Sequence, residues 1–128
     1  MGTVINMPVN SHKDLAVWQK AMDLVVKIYS LTKQFPRDEL YSLTNQIRRA
    51  AISIPSNIAE GKAKRSKRDF VNFIAIARGS AAELETQLLI SQRLAYISVE
   101  QARPVLDDIN EIGRMLSGLL SKLEAAST

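Results

Sequence analysis

Apolar residues in this chain of 128 residues recur at intervals of three and four rather than two. That spacing is helical, because side chains three and four apart share one face of a 3.6-residue turn. Four such stretches follow one another. In the first, Leu15, Trp18, Met22, Val25 and Tyr29 fall on one side. Ala21, Leu24, Ile28 and Leu31 widen the apolar arc, while Gln19, Lys20, Asp23, Lys27 and Ser30 face away. The second, from Asp38 to Gly61, carries Leu40, Leu43, Ile47, Ala50, Ala51, Ile54 and Ile58 inward. The third runs from Ser66 to near Tyr96 on Phe70, Phe73, Ala77, Ala81, Leu84, Leu88 and Ser91. The fourth carries Leu106, Ile109, Ile112, Leu116, Leu120 and Leu123.

The punctuation agrees with this reading. Ser11 with Asp14, Ser66 with Asp69, and Ser98 with Gln101 have capping-box spacing, in which each side chain satisfies a free backbone donor at a helix start. Pro36, followed by Asp38 and Glu39, separates the first two helices, and Gly61 is a C-terminal stop for the second. Pro55 removes a hydrogen bond inside the second helix and predicts a kink, with Asn57 and Glu60 placed to satisfy groups there. Gly79, costly in mid-helix, predicts a close helix contact. Pro104 leaves the fourth helix starting at Val99 with an irregular first turn, or nearer Arg103. Strand signals are poor: alternation is missing and no Asn-Gly or Asp-Gly turn occurs. The expected fold is all-α, an antiparallel up-down-up-down four-helix bundle over residues 11–124, with short connections and frayed ends at 1–10 and 125–128.

Composition narrows the function. There is no cysteine, which excludes a disulfide framework, a thiolate metal site and a cysteine nucleophile, and fits a reducing cytoplasm. The first ten residues lack the pattern of a secretory signal, and Asn6 breaks the myristoylation pattern. No run approaches the roughly 18 apolar residues of a membrane span. A soluble cytoplasmic protein without membrane partners is expected. His12 is the single histidine, Glu-x-x-His is absent, and no phosphate-binding glycine motif occurs. No catalytic residue, metal or cofactor is expected. Glu83 and Glu85, on opposite flanks of the third helix, read as partners for cations, and Trp18, Tyr29 and Tyr41 as core or interface residues.

Two features exceed what a lone bundle needs. One is charge. The net charge is +4, and from Ser98 onward three cations face five anions, so the preceding residues carry +6. Lys62, Lys64, Arg65, Lys67 and Arg68 fall within seven residues at the corner between the second and third helices, and Arg48 and Arg49 extend the candidate patch. Such a cluster suits a polyanion, bound with strong salt dependence and little sequence preference; a solvated turn is the plainer alternative. No aromatic interleaves with the run itself. The other feature is a second apolar face: Val71, Ala75, Ala82 and Leu89 with Arg78 among them on the third helix, and Ile52, Pro55 and Ala59 on the second. Its helical register predicts a homo-oligomer, a ring.

The stretches FPRDELYSLTNQIRRA, SIPSNIAEG, DFVNFIAIARGS and ELETQL resemble the small proteins encoded by intervening sequences inside bacterial 23S ribosomal RNA genes. The likeness runs from about Lys13 to Tyr96 and continues more loosely through the fourth helix. The resemblance implies a four-helix bundle assembled as a homopentamer. It also implies kinship with the accessory variability proteins of diversity-generating retroelements, which bind nucleic acid and a reverse transcriptase. It carries over no catalytic residue. The function expected is a non-catalytic, oligomeric binder of structured RNA or RNA/DNA, an accessory factor. The alternative is an oligomeric scaffold or adaptor for a protein partner, without nucleic acid.

Overall fold

The structure, a computed structural model, describes residues 11–125. The frayed ends expected at 1–10 and 125–128 lie outside those residues, except Ala125, which is helical. Four helices make up the fold: α1 (Ala16–Thr32), α2 (Leu43–Ala63), α3 (Lys67–Arg93) and α4 (Val99–Ala125). Among the described residues there is no strand.

The register of contacts gives the directions. Lys20 reaches Asp108 and Glu111, Lys27 reaches Asp108, and Gln34 reaches Gln101, so rising numbers on the α1 side meet falling numbers on α4. Tyr29 lies under Arg48 while the α2 residues Ile52, Pro55 and Ala59 share a groove with Val25, Met22 and Trp18. Ser53 meets Ser80 while Gly61 meets Phe73. Each helix is antiparallel to its two neighbours in the order α1, α2, α3, α4 and back to α1. The diagonal pairs make no close backbone approach.

The interior is a single seam of aliphatic side chains. Leu24, Ile28, Ile47, Ile54, Ile58, Ile74, Leu84, Leu88, Ile112 and Leu116 are almost wholly buried. Each such side chain contributes roughly 1.5–3 kcal/mol by leaving water. The inward stripes of α3 and α4 are largely those the periodicity predicts, with Ile74, Ala102 and Val105 added.

The first helix differs. Its buried stripe is Val17, Ala21, Leu24, Ile28 and Thr32. The expected centre, Trp18, Met22, Val25 and Tyr29, sits on the flank beside α2, with Met22 and Tyr29 exposed. The arc of apolar residues is so wide that periodicity alone cannot locate its inward centre. Tyr41, expected in the core or an interface, is 90% exposed in this chain, and Leu40 is also exposed.

Boundaries moved for local reasons. Ser11 caps a short 3-10 turn (His12–Asp14) by accepting from Lys13 N, and α1 itself begins after Leu15. Residues Arg37–Glu39 form another 3-10 turn, so α2 starts at Leu43, later than expected. There the Glu39 carboxylate accepts from Ser42 Oγ, from Tyr96 OH at 2.7 Å and from Leu43 N. The Ser42 bond, then the Tyr96 bond, hold Glu39 below the usual carboxylate range, and the same carboxylate raises Tyr96. Gln34 donates to Tyr96 O and exchanges bonds with Gln101, so both connections at this end of the bundle are tied together. α2 does not stop at Gly61 but continues to Ala63. α4 starts at Val99, and Pro104 is accommodated inside it.

Candidate nucleic-acid interface

The end of the bundle opposite those tied connections holds the cationic corner. α2 ends at Ala63, and α3 begins at Lys67 after only three residues. Ser66 caps α3, its Oγ accepting from Asp69 N at 3.1 Å, as the capping-box spacing predicts. The turn is tight because Gly61 lets two helices close on each other. A Cβ there would sit 2.7 Å from Phe73 Cβ and 3.1 Å from Phe70 Cδ1. Gly61 is therefore a close-packing residue inside α2, not a helix stop.

Lys64, Arg65, Lys67 and Arg68 are exposed at this corner, and Lys62 is half-buried. Lys62 Nζ lies 5.7 Å over the Phe70 ring and Lys64 Nζ 5.5 Å over the Phe73 ring. Sequence reading missed these rings as members of the corner, because they follow the cationic run instead of interleaving with it. The signal available was their spacing of three from each other. Asp69, in the first turn of α3, Glu124, which shares a shallow pocket with Lys67 and Arg68, and the exposed Glu60, two residues before Lys62, are acids nearby.

Arg48 and Arg49 do not extend the corner. They lie some fourteen residues earlier on the same helix, about 20 Å away at 1.5 Å per residue. Arg48 is engaged within the fold, its guanidinium 4.5 Å over Tyr29 and its Nε donating to Thr32 Oγ1 at 3.0 Å. Arg49 is exposed and lines a polar cleft between α2 and α3 with Gln46, Ser53 and Glu83. Nearby, Asn57 Nδ2 donates to Ser53 O (2.8 Å) and Ser53 Oγ (2.9 Å), and Ser53 Oγ shares a 2.8 Å hydrogen bond with Ser80 Oγ. Asn57 thus serves the backbone beside Pro55, as its position suggests.

The second apolar face divides in two. Ile52 and Ala59 line a largely apolar groove of about 370 Å³ between α1 and α2, with Trp18, Met22 and Val25 opposite. Pro55, expected to project outward, is buried within the chain on the wall of that groove. Helix packing against α1 closes over it, which the α2 pattern alone does not show. On α3, Ala75, Arg78, Ala82 and Leu89 are exposed, whereas Val71 packs partly against the core. Arg78 and Ala82 border a groove of about 430 Å³ between α3 and α4, where Arg78 Nη1 lies 3.5 Å from Ser117 Oγ. Glu85 lines the same groove, so Glu83 and Glu85 do flank α3 on opposite sides. Gly79 is exposed, with nothing within 4 Å of a built Cβ, so the close contact expected there is not made within the chain. Ile76 and Ile90 are also exposed on α3, but at seven-residue steps from Glu83 they lie on its flank and not on the line of Ala75, Ala82 and Leu89.

Among the described residues no helix is long and apolar enough to cross a membrane, and no three His, Asp or Glu side chains converge as metal ligands.

Comparison with known proteins adds two findings. Residues 13–118 match the family of 23S rRNA-intervening sequence proteins. The fold matches the crystal structure of a protein of unknown function from the S23 ribosomal protein family of Bacteroides thetaiotaomicron VPI-5482, at 31% identity and a TM-score of 0.77. That match covers 82% of this chain and 98% of the other. No curated protein matches the chain.

Proposed function

The chain belongs to the 23S rRNA-intervening sequence protein family, and from that premise we propose that it is a non-catalytic, oligomeric nucleic-acid-binding protein. The observation that carries this reading is the α2–α3 corner, where five cations fall within seven residues at one end of the bundle. Phosphates paired with these cations release counterions, and that release drives binding without reading base sequence. The positive end of the α3 dipole lies at the same corner.

The oligomer is a homo-oligomeric ring. Its support is the pair of unlike apolar surfaces, one between α1 and α2 and one on α3. Unlike faces on different sides of a subunit join head to tail, which closes into a ring when the rotation allows. A ring repeats the corner once per subunit, and weak phosphate contacts then combine through effective concentration.

The test is fluorescence anisotropy with labelled RNA and DNA over a salt series. Affinity is expected to fall linearly on logarithmic axes. Changing Lys64, Arg65, Lys67 and Arg68 to Ala should weaken binding at least about tenfold at low salt and flatten the slope by roughly 0.7–0.9 per lost phosphate contact. If RNA and DNA bind no better than a neutral polymer at low salt, the reading falls, and the scaffold for a protein partner replaces it.

A further inference from the structure

Resting on that reading, we infer that the ligand of the α2–α3 corner is unpaired nucleic acid, its bases stacking on Phe70 and Phe73 while the corner's cations hold the phosphates. The two rings are two of the chain's three phenylalanines. Spaced three apart on α3, they share one side of the helix, with Cβ atoms about 5–6 Å apart. Both keep part of their surface open.

On one side of these residues is the backbone of α2 at Gly61, so close that a Cβ would stand 3.1 Å from Phe70 Cδ1 and 2.7 Å from Phe73 Cβ. That contact seats the Phe70 ring and the Cβ of Phe73. An ammonium lies over each ring, Lys62 at 5.7 Å and Lys64 at 5.5 Å, while Phe70 also packs in part against the core. A lysine over an exposed aromatic face is a weak and displaceable cover. When a base takes that face, the displaced ammonium is already beside the strand and can pair with a flanking phosphate. Fixed aromatic faces next to cations are the requirement for sequence-tolerant single-strand binding. A duplex keeps its base faces stacked inside and offers only its charge to the same corner.

The experiment uses the full chain and three probes of about a dozen nucleotides: a pyrimidine single strand, an abasic strand of the same length and charge, and a duplex. The single strand is expected to bind at least about fivefold more tightly than the abasic strand, with the same salt slope, from one stacked base. Phe70→Leu together with Phe73→Leu keeps apolar bulk at both positions and should abolish that difference while leaving abasic binding intact. Equal affinity for the single and abasic strands overturns the inference and leaves the electrostatic reading standing. A difference that survives in the double variant also overturns it. Binding of none of the three probes defeats the underlying reading instead. Because the abasic comparison needs no substitution, it decides the matter even where the double variant does not fold.

Discussion

At the scale of single residues, this fold depends on two backbone positions. At Gly61 the Cβ of any other residue would meet Phe73 Cβ at 2.7 Å, and neither atom is the flexible end of a side chain. Gly61→Ala therefore forces α2 and α3 apart. Overpacking of this kind costs about 1–3 kcal/mol, against a helix-propensity gain of about 1 kcal/mol. Urea melts should show a net loss of up to about 2 kcal/mol; an alanine variant more stable than the parent would mean the helices are not that close. The other position is Ala95, at φ 61°, in the left-handed region. There Tyr96 N donates to Ser91 O and Ala95 N to Gln92 O, closing α3 with the paired bonds usually built around glycine. Neither position was legible as such. Gly61 reads equally well as a helix stop, and an alanine gives no hint of positive φ.

At the scale of elements, local chemistry sets where helices begin. Ser98 and Gln101 form the full reciprocal box, Gln101 N donating to Ser98 Oγ at 3.0 Å and Ser98 N to Gln101 Oε1 at 2.9 Å. That cap outweighs Pro104. The proline lacks the N–H that would bond to the Glu100 carbonyl, but both residues are exposed, so water can take the place of the lost donor. The α1–α4 seam is held by charge. Burial raises the Asp108 pKa, but the hydrogen bond from Lys27 and the charges of Lys20 and Lys27 outweigh it and hold the carboxyl below its ordinary value. Lys20, bonded first to Glu111, is raised. A depressed carboxyl contributes stability that is present above its unfolded value of 3.8 and lost as pH falls through the folded one. The protein should therefore lose stability below about pH 4, and Asp108→Asn should lose less over the same range. Identical acid melts for both proteins would remove this seam from the account.

At the scale of the whole molecule, the two ends of the bundle differ in kind. The end at Gln34, Glu39, Tyr96 and Gln101 is cross-tied by hydrogen bonds, whereas the opposite end carries the cationic corner. The sides differ too: a groove between α1 and α2, and an exposed α3 line where Leu89 is 42% exposed. The proposed ring covers both sides. Native mass spectrometry should give a multiple of the 14.2 kDa chain, and Ala82→Arg with Leu89→Arg should return single bundles that still fold. A parent protein that is monomeric at micromolar concentration would remove the ring, and with it the multivalent gain in phosphate binding.

The sequence by itself determined the four helices, their order, the capped starts of α3 and α4, and the cations at the α2–α3 corner. These depend on interactions within a few residues, which period, caps and charge runs record directly. Only the tertiary structure decided which part of the wide apolar arc of α1 turns inward, that Pro55 is covered, that Arg48 is bound to Tyr29 and Thr32, and that Phe70 and Phe73 sit beneath Lys62 and Lys64. Each of those depends on the rotation of one helix against its neighbour. A period of 3.6 residues gives the width of a face, while the partner across the interface sets the direction in which it points.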